Sequence, residues 1–190
     1  MAFQLRYGLI LAAAFAVAFV DVACAHSRLP KALYSALLAS HPEQLPMGFS
    51  SVQVHAGSIP PYLRSSAPVG LVVLNLNRPP TRILATIEYA VFSNASRAEG
   101  AHSLTNAAVG IVVETGHLPR SAGQHTYEIR QASRQVGGQR FTVDLATSQF
   151  VLGKTKVAVI ASSPAGARTT LRVRLTALVS FAIRHLNSLE

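Results

Sequence analysis

A short segment in the second half of the chain carries the side chains best suited to proton transfer or anion binding. His117, Arg120, His125 and Tyr127 follow closely after Glu114. An imidazole exchanges protons near neutral pH, and a guanidinium binds a carboxylate or phosphate through two parallel hydrogen bonds. The sequence therefore predicts a ligand-binding site in this segment. The alternative is a solvated loop between two strands, where polar residues need no functional role.

Motifs for other kinds of chemistry are absent from the sequence. It has no Gly-Xaa-Ser-Xaa-Gly nucleophile motif, no phosphate-binding glycine loop and no His-Glu-Xaa-Xaa-His zinc motif. His117 and His125 lack a regular metal-ligand spacing, and carboxylates are sparse. We therefore expect no metal site, no cofactor and no catalytic residue of a known type. This favours a non-catalytic protein, with a small extracytoplasmic hydrolase that uses an unrecognised site as the alternative.

The basic residues predict a second type of surface. The chain has 17 Lys and Arg against 8 Asp and Glu, a net charge of +9. Such a protein attracts polyanions, for example an anionic envelope component, although a basic surface can also serve solubility alone. Six arginines would form one patch if the sheet edge adjoins the last helix: Arg130, Arg134, Arg140, Arg168, Arg172 and Arg174. Because only 7% of the residues are aromatic and none is Trp, we expect no specific nucleic-acid recognition.

The start of the chain has the pattern of a secretory signal peptide. An apolar run covers 8–20, and small residues follow it up to Ala25. Cleavage there removes Cys24, whereas a lipid anchor on Cys24 is the alternative. We expect an exported protein, periplasmic or extracellular, with a leader at 1–25 and a single domain at 26–190 that has no transmembrane helix.

Hydropathy patterns predict the strands that position these side chains. An aliphatic run at 69–76 and an alternating run at 83–92 are joined by a short connection with two prolines, which indicates an antiparallel pair. Five further runs are candidate strands: 51–55, 109–114, 125–130, 140–146 and 156–162. The predicted fold is a single α+β domain with an antiparallel sheet of about five to seven strands.

Two longer helices and a short N-terminal helix are predicted to pack on this sheet. The short helix begins at Pro30 and ends near Ser40. The second has Asn94 as its N-cap and continues to Ala108. The last opens at 162–164, with a serine cap followed by Pro164 at the first helical position. Both longer helices follow an aliphatic strand through a similar junction. The sheet is therefore interpreted as two similar strand–strand–helix units, with a chance match of the junctions as the alternative.

The last helix is apolar around most of its circumference. Besides a leucine stripe, it has a second stripe formed by Val173, Ala177 and Phe181. Either the N-terminal helix covers this second stripe within the domain, or a homodimer or another protein does. The sequence thus predicts an exported, non-catalytic binding or envelope-associated protein with a basic surface. A structural subunit that docks through its C-terminal helix is a further alternative.

Overall fold

Seven strands form a single antiparallel sheet. The strands are β1 (Ser51–Gly57), β2 (Gly70–Arg78), β3 (Thr81–Val91), β4 (Ile111–His117), β5 (Thr126–Val136), β6 (Gln139–Leu152) and β7 (Thr155–Pro164). Their order across the sheet is β1-β2-β3-β7-β6-β5-β4. Two meanders, β1 to β3 and β4 to β7, are therefore joined by pairing of β3 with β7. The predicted α+β fold with an antiparallel sheet is confirmed.

The computed structural model describes residues 29–46, 48–78, 81–104, 110–136 and 138–190. The predicted signal peptide, with its cysteine, lies outside these residues. Within the described ranges, no helix has both the length and the apolarity to cross a membrane.

In the described residues, three α-helices accompany the sheet: α1 (Pro30–Ala39), α2 (Ala95–Gly100) and α3 (Arg168–Asn187). The first was predicted with nearly these bounds. Asn94 is the N-cap of α2, and its Oδ1 accepts a hydrogen bond from the backbone N–H of Arg97 at 2.9 Å. The prediction that α2 is long is wrong, because the backbone is already extended at Ala101. Its predicted continuation, 105–108, lies outside the described residues.

The start of α3 also differs from its prediction. Ser162 and Pro164 belong to β7, which pairs with β6 as far as Val143 opposite Pro164. The helix begins only at Arg168. Its N-cap residue, Ala167, has no side-chain group that can accept a hydrogen bond from the first turn. Strand pairing with β6 thus overrides the local preference of serine and proline for a helix start.

A carboxylate from the sheet supplies the cap that α3 lacks. Asp144 of β6 is fully buried, and its Oδ2 accepts a hydrogen bond from the N–H of Gly166 at 2.9 Å. The same oxygen lies 3.7 Å from Nε of Arg168, and Oδ1 accepts a hydrogen bond from Gln131 at 3.3 Å. A negative group at a helix N-terminus is favourable, so Asp144 fixes α3 to the sheet.

The face of the sheet under α1 and α3 is apolar. Alternate residues of a strand point to opposite faces, and on this face Ile87 of β3 and Val159 of β7 are completely buried. Leu37 of α1 and Leu175 of α3 belong to the same buried cluster. This cluster is the main core, and we call this side the covered face.

The opposite face is covered over only part of its area. A 3₁₀ helix at Pro61–Ser66, α2 and the residues after α2 pack there. Leu63, Ala98 and Leu104 are buried together with Phe92 in this smaller cluster. Because α2 and α3 lie on opposite faces, the interpretation as two similar strand–strand–helix units is wrong. The uncovered part of this side is called the open face.

Candidate functional site

A row of mainly polar side chains crosses the open face from edge to edge. Residues paired on successive strands form it: Gln53, Asn75, Thr86, Ile160, Thr147, Glu128 and Thr115. All of them are at least partly exposed. With neighbouring strands about 4.8 Å apart, this polar row is about 29 Å long. The sheet thus presents hydrogen-bonding groups on a surface of fixed backbone.

A shallow groove of about 420 Å³ lies at the β4 end of the polar row. Its hydrogen-bonding side chains are Thr115, His117, Thr126, Glu128, Thr147 and Gln149. They come from three adjacent strands, and alternation along β5 and β6 directs Glu128, Thr147 and Gln149 away from the apolar core. We call this site the polar groove.

Two of its side chains are held by neighbours. Glu128 forms an ion pair with Arg130, two residues along β5. Oε1 of Gln149 accepts a hydrogen bond from the N–H of Leu104 at 2.9 Å, and its Nε2 donates to Oγ of Ser103 at 2.7 Å. These bonds limit the rotamers of Glu128 and Gln149, so part of the groove is arranged before any ligand binds.

The four residues that the sequence predicts as a ligand-binding site do not converge on one point. His117 is exposed and borders the polar groove on the open face. Arg120 is exposed on a 3₁₀ helix, Arg120–Ala122, and does not line the groove. His125 packs toward the covered face, where its ring stacks on Phe150 with centroids 4.2 Å apart. Burial lowers the pKa of His125 below its usual value.

Tyr127 borders the groove, but its hydroxyl is already engaged. Its ring lies over Gly116, where an added Cβ would come within 2.9 Å of it. The hydroxyl donates a hydrogen bond to Oε1 of Glu114 at 2.6 Å, and Nε of Arg172 lies 3.5 Å from the same oxygen. Burial, and then the bond to Glu114, raise the pKa of Tyr127. Because Gly116 has no Cβ, the ring of Tyr127 can lie over it. Tyr127 of β5 thereby reaches Glu114 of β4, which also pairs with Arg172 of α3.

The segment between His117 and His125 also contributes to the core. Leu118 and Ala122 are buried with the main cluster. Oγ of Ser180 in α3 donates a hydrogen bond to the carbonyl of Ser121 at 3.2 Å. The segment is therefore anchored between β4, β5 and α3, and differs from the solvated loop that was the alternative prediction.

Several of the predicted basic-surface arginines have carboxylate partners. Arg130 pairs with Glu128, Arg168 with Asp144 and Arg172 with Glu114. The other three differ in setting. Arg174 donates a hydrogen bond to the carbonyl of Ser162 at 3.2 Å, Arg140 is exposed at the start of β6, and the side chain of Arg134 lies outside the described part. The guanidinium groups of Arg130, Arg168 and Arg172 are therefore already engaged within the protein.

The second stripe of α3 is interrupted. Val173 is 65% exposed, whereas Phe181 is only 4% exposed and stacks on His185 in the core. Ala177 is intermediate. The three residues of the predicted partner surface therefore do not form one continuous exposed patch, because α1 and the sheet enclose the C-terminal half of α3.

A serine–histidine pair, of which only the histidine is buried, lies on the covered face. Nε2 of His185 is 3.0 Å from Oγ of Ser40, and its Nδ1 is 3.3 Å from the hydroxyl of Tyr89. Oγ of Ser40 donates to the carbonyl of Leu37 at 2.7 Å, so it accepts the bond from His185. This direction opposes the one a nucleophile needs, since a nucleophilic serine donates its proton to the histidine. The chain of bonds instead joins α1, β3 and α3.

Neither a search for metal ligands nor comparison with known proteins identifies a function for this chain. In the part of the chain that the structure describes, no group of three or more His, Cys, Asp or Glu side chains could hold a metal ion. Comparison of the chain with protein-family models, curated proteins and solved structures gives no match. The functional argument therefore rests on the site itself.

The sequence alone did not identify most of the polar groove. Thr115, Thr126, Glu128, Thr147 and Gln149 were not among the predicted site residues. One partial signal was present, because Thr147 and Gln149 lie two residues apart on β6 and therefore share one face of the strand. The pairing of β5 with both β4 and β6, which brings these side chains together, is not encoded in any short motif.

Proposed function

We propose that this protein is an exported, non-catalytic binding protein whose polar groove holds a hydroxyl-rich ligand of the carbohydrate class. The observation that carries the proposal is the set of side chains that line the groove. Thr115 and Thr147 can both donate and accept hydrogen bonds, and Glu128 accepts them. A ligand with many hydroxyl groups matches such a mixture of donors and acceptors.

The side chains that are described in the polar groove include no paired nucleophile and base, which supports binding over catalysis. Among the described residues, His117 makes no side-chain hydrogen bond to a hydroxyl or carboxyl group, and Glu128 is paired with Arg130. The polar row extends from the groove across the sheet and could accommodate a linear ligand of several units, since it is about 29 Å long. Export is supported by the leader pattern at the start of the sequence.

Titration with neutral oligosaccharides, followed by NMR chemical shifts, tests the proposal. We expect shifts at Thr115, Thr147 and neighbouring amides, with dissociation constants that are roughly millimolar. Thr147→Val keeps the side-chain shape and removes one hydroxyl, so it should weaken binding by about three- to tenfold.

Thr142→Val is the matched control, because Thr142 is exposed on the same strand but belongs to the opposite face. Its binding should equal that of the unchanged protein. Equal weakening by both variants, or no saturable shifts at the groove with any oligosaccharide, would contradict the proposal.

A further inference from the structure

A second pocket, of about 480 Å³, lies among the short elements beside the open face. The C-terminal end of the 3₁₀ helix Pro61–Ser66 contributes Ser65 and Ser66, and α2 contributes Arg97. His102, two residues after the end of α2, completes the polar lining. None of these residues lines the polar groove. We call this site the serine–arginine pocket.

The backbone around the serine–arginine pocket is held in place. The cap from Asn94 fixes the N–H of Arg97, and Nζ of Lys156 donates a hydrogen bond to the carbonyl of Ala101 at 2.6 Å. Ala101 precedes His102, so the position of His102 is tied to β7. Burial lowers the pKa of Lys156, consistent with a lysine used as a structural tie within the protein.

Arg97 differs from the arginines near α3 and β5. Arg130, Arg168 and Arg172 each have a carboxylate partner. Arg97 forms no ion pair among the described residues, and Glu99 on the same helix does not line the pocket. The positive charge at this pocket is therefore not neutralised by a carboxylate of the pocket wall.

We propose that the serine–arginine pocket binds a tetrahedral oxyanion, the phosphate or sulfate group of a small ligand. The guanidinium of Arg97, the hydroxyls of Ser65 and Ser66, and an N–H of His102 can all donate hydrogen bonds to anionic oxygens. The net charge of +9 adds a long-range attraction for anions. Ser65, Arg97 and His102 are exposed, so the organic group of a phosphate ester can extend from the pocket into solvent.

Titration of the full chain with inorganic phosphate at low ionic strength tests this site, with amide shifts at Ser66, Arg97 and His102 as the readout. We expect saturable binding that Arg97→Gln weakens at least tenfold, about the contribution of one charge-assisted bond. Ser65→Ala should weaken it several-fold. No saturable shift at the pocket overturns the proposal.

Arg120→Gln removes the same charge at an exposed position outside the pocket, and should leave phosphate binding unchanged. Equal weakening by Arg97→Gln and Arg120→Gln overturns the proposal, because only the overall charge would then matter. Glycerol phosphate and vesicles that contain phosphatidic acid separate a soluble ester from a lipid headgroup as the source of the anion, and binding of either supports the site. Oligosaccharide binding in the polar groove should be the same in Arg97→Gln, so failure here is distinct from failure of the proposed function.

Discussion

The two faces of the sheet satisfy their polar groups in different ways. On the covered face, Asp144, Tyr89 and His185 are buried and bonded to other parts of the protein. On the open face, Thr115 is exposed and Thr147 is partly exposed, with hydroxyls free to bond to water or a ligand. The comparison teaches that one face can hold the main apolar core while the other keeps hydrogen-bonding groups exposed on the same strands.

The largest expected difference between the faces is in how much the free energy of unfolding falls when a leucine is replaced by alanine. Leu175 of α3 is completely buried on the covered face, whereas Leu145 of β6 is only partly buried on the open face. Leu175→Ala should lower the free energy of unfolding by about 2–5 kcal/mol, because it removes apolar contacts and leaves a cavity. Leu145→Ala should cost at most about half as much.

Urea denaturation of both leucine variants measures this difference. Equal losses of unfolding free energy would mean that the open face is covered as completely as the face under α3. The distinction between a stabilising face and a binding face would then be lost.

The sequence predicted the strands of the sheet better than it predicted the helices. The alternation of Ile87 and Tyr89 with polar neighbours correctly identified the inward side of β3. The start of α3 was misplaced because Ser162 has the properties of a helix cap in isolation, but here continues a strand paired with Leu145. Local signals failed where a long-range pairing decided the structure.

The candidate sites were harder to predict for the same reason. His117 was identified from its residue type, but its neighbours Glu128 and Thr147 reach it only through the sheet register. In the serine–arginine pocket, Ser65 and Arg97 are far apart in sequence and meet through packing of α2 beside a 3₁₀ helix. Neither site has a fixed sequence spacing that would reveal it.

A smaller effect should appear in the pH dependence of stability, through a buried histidine of the covered face. Burial lowers the pKa of His185, whose ring is surrounded by the uncharged side chains of Tyr89, Phe181 and Ser40. The unfolded chain, with a histidine pKa of about 6.5, then binds a proton more readily than the folded protein. Stability from this group is complete above about pH 6.5 and falls as the pH drops toward the folded-state pKa, by at most about 1.4 kcal/mol per pH unit.

Unfolding free energies at about pH 7.5 and about pH 5.5 measure this loss. His185→Gln should reduce the difference between the two values, because it removes the titrating group. His125→Gln is the control, since His125 also has a lowered pKa but is only half-buried, and it should reduce the difference less. A larger reduction from His125→Gln would contradict the assignment of the main effect to His185.

The smallest expected effect lies on the outer side of α3. Val173 is 65% exposed and is separated from the buried Phe181 by two turns of helix, so it has no continuous apolar surface around it. Val173→Asp should change the free energy of unfolding by no more than about 0.5 kcal/mol, and light scattering should give the same mass for both proteins. Phe181→Asp, by contrast, would place a charge in the core and should destabilise the protein strongly. A dimer that dissociates on Val173→Asp alone would reverse this conclusion, because the outer side of α3 would then be an interface and the protein would have binding surfaces on both sides of its sheet.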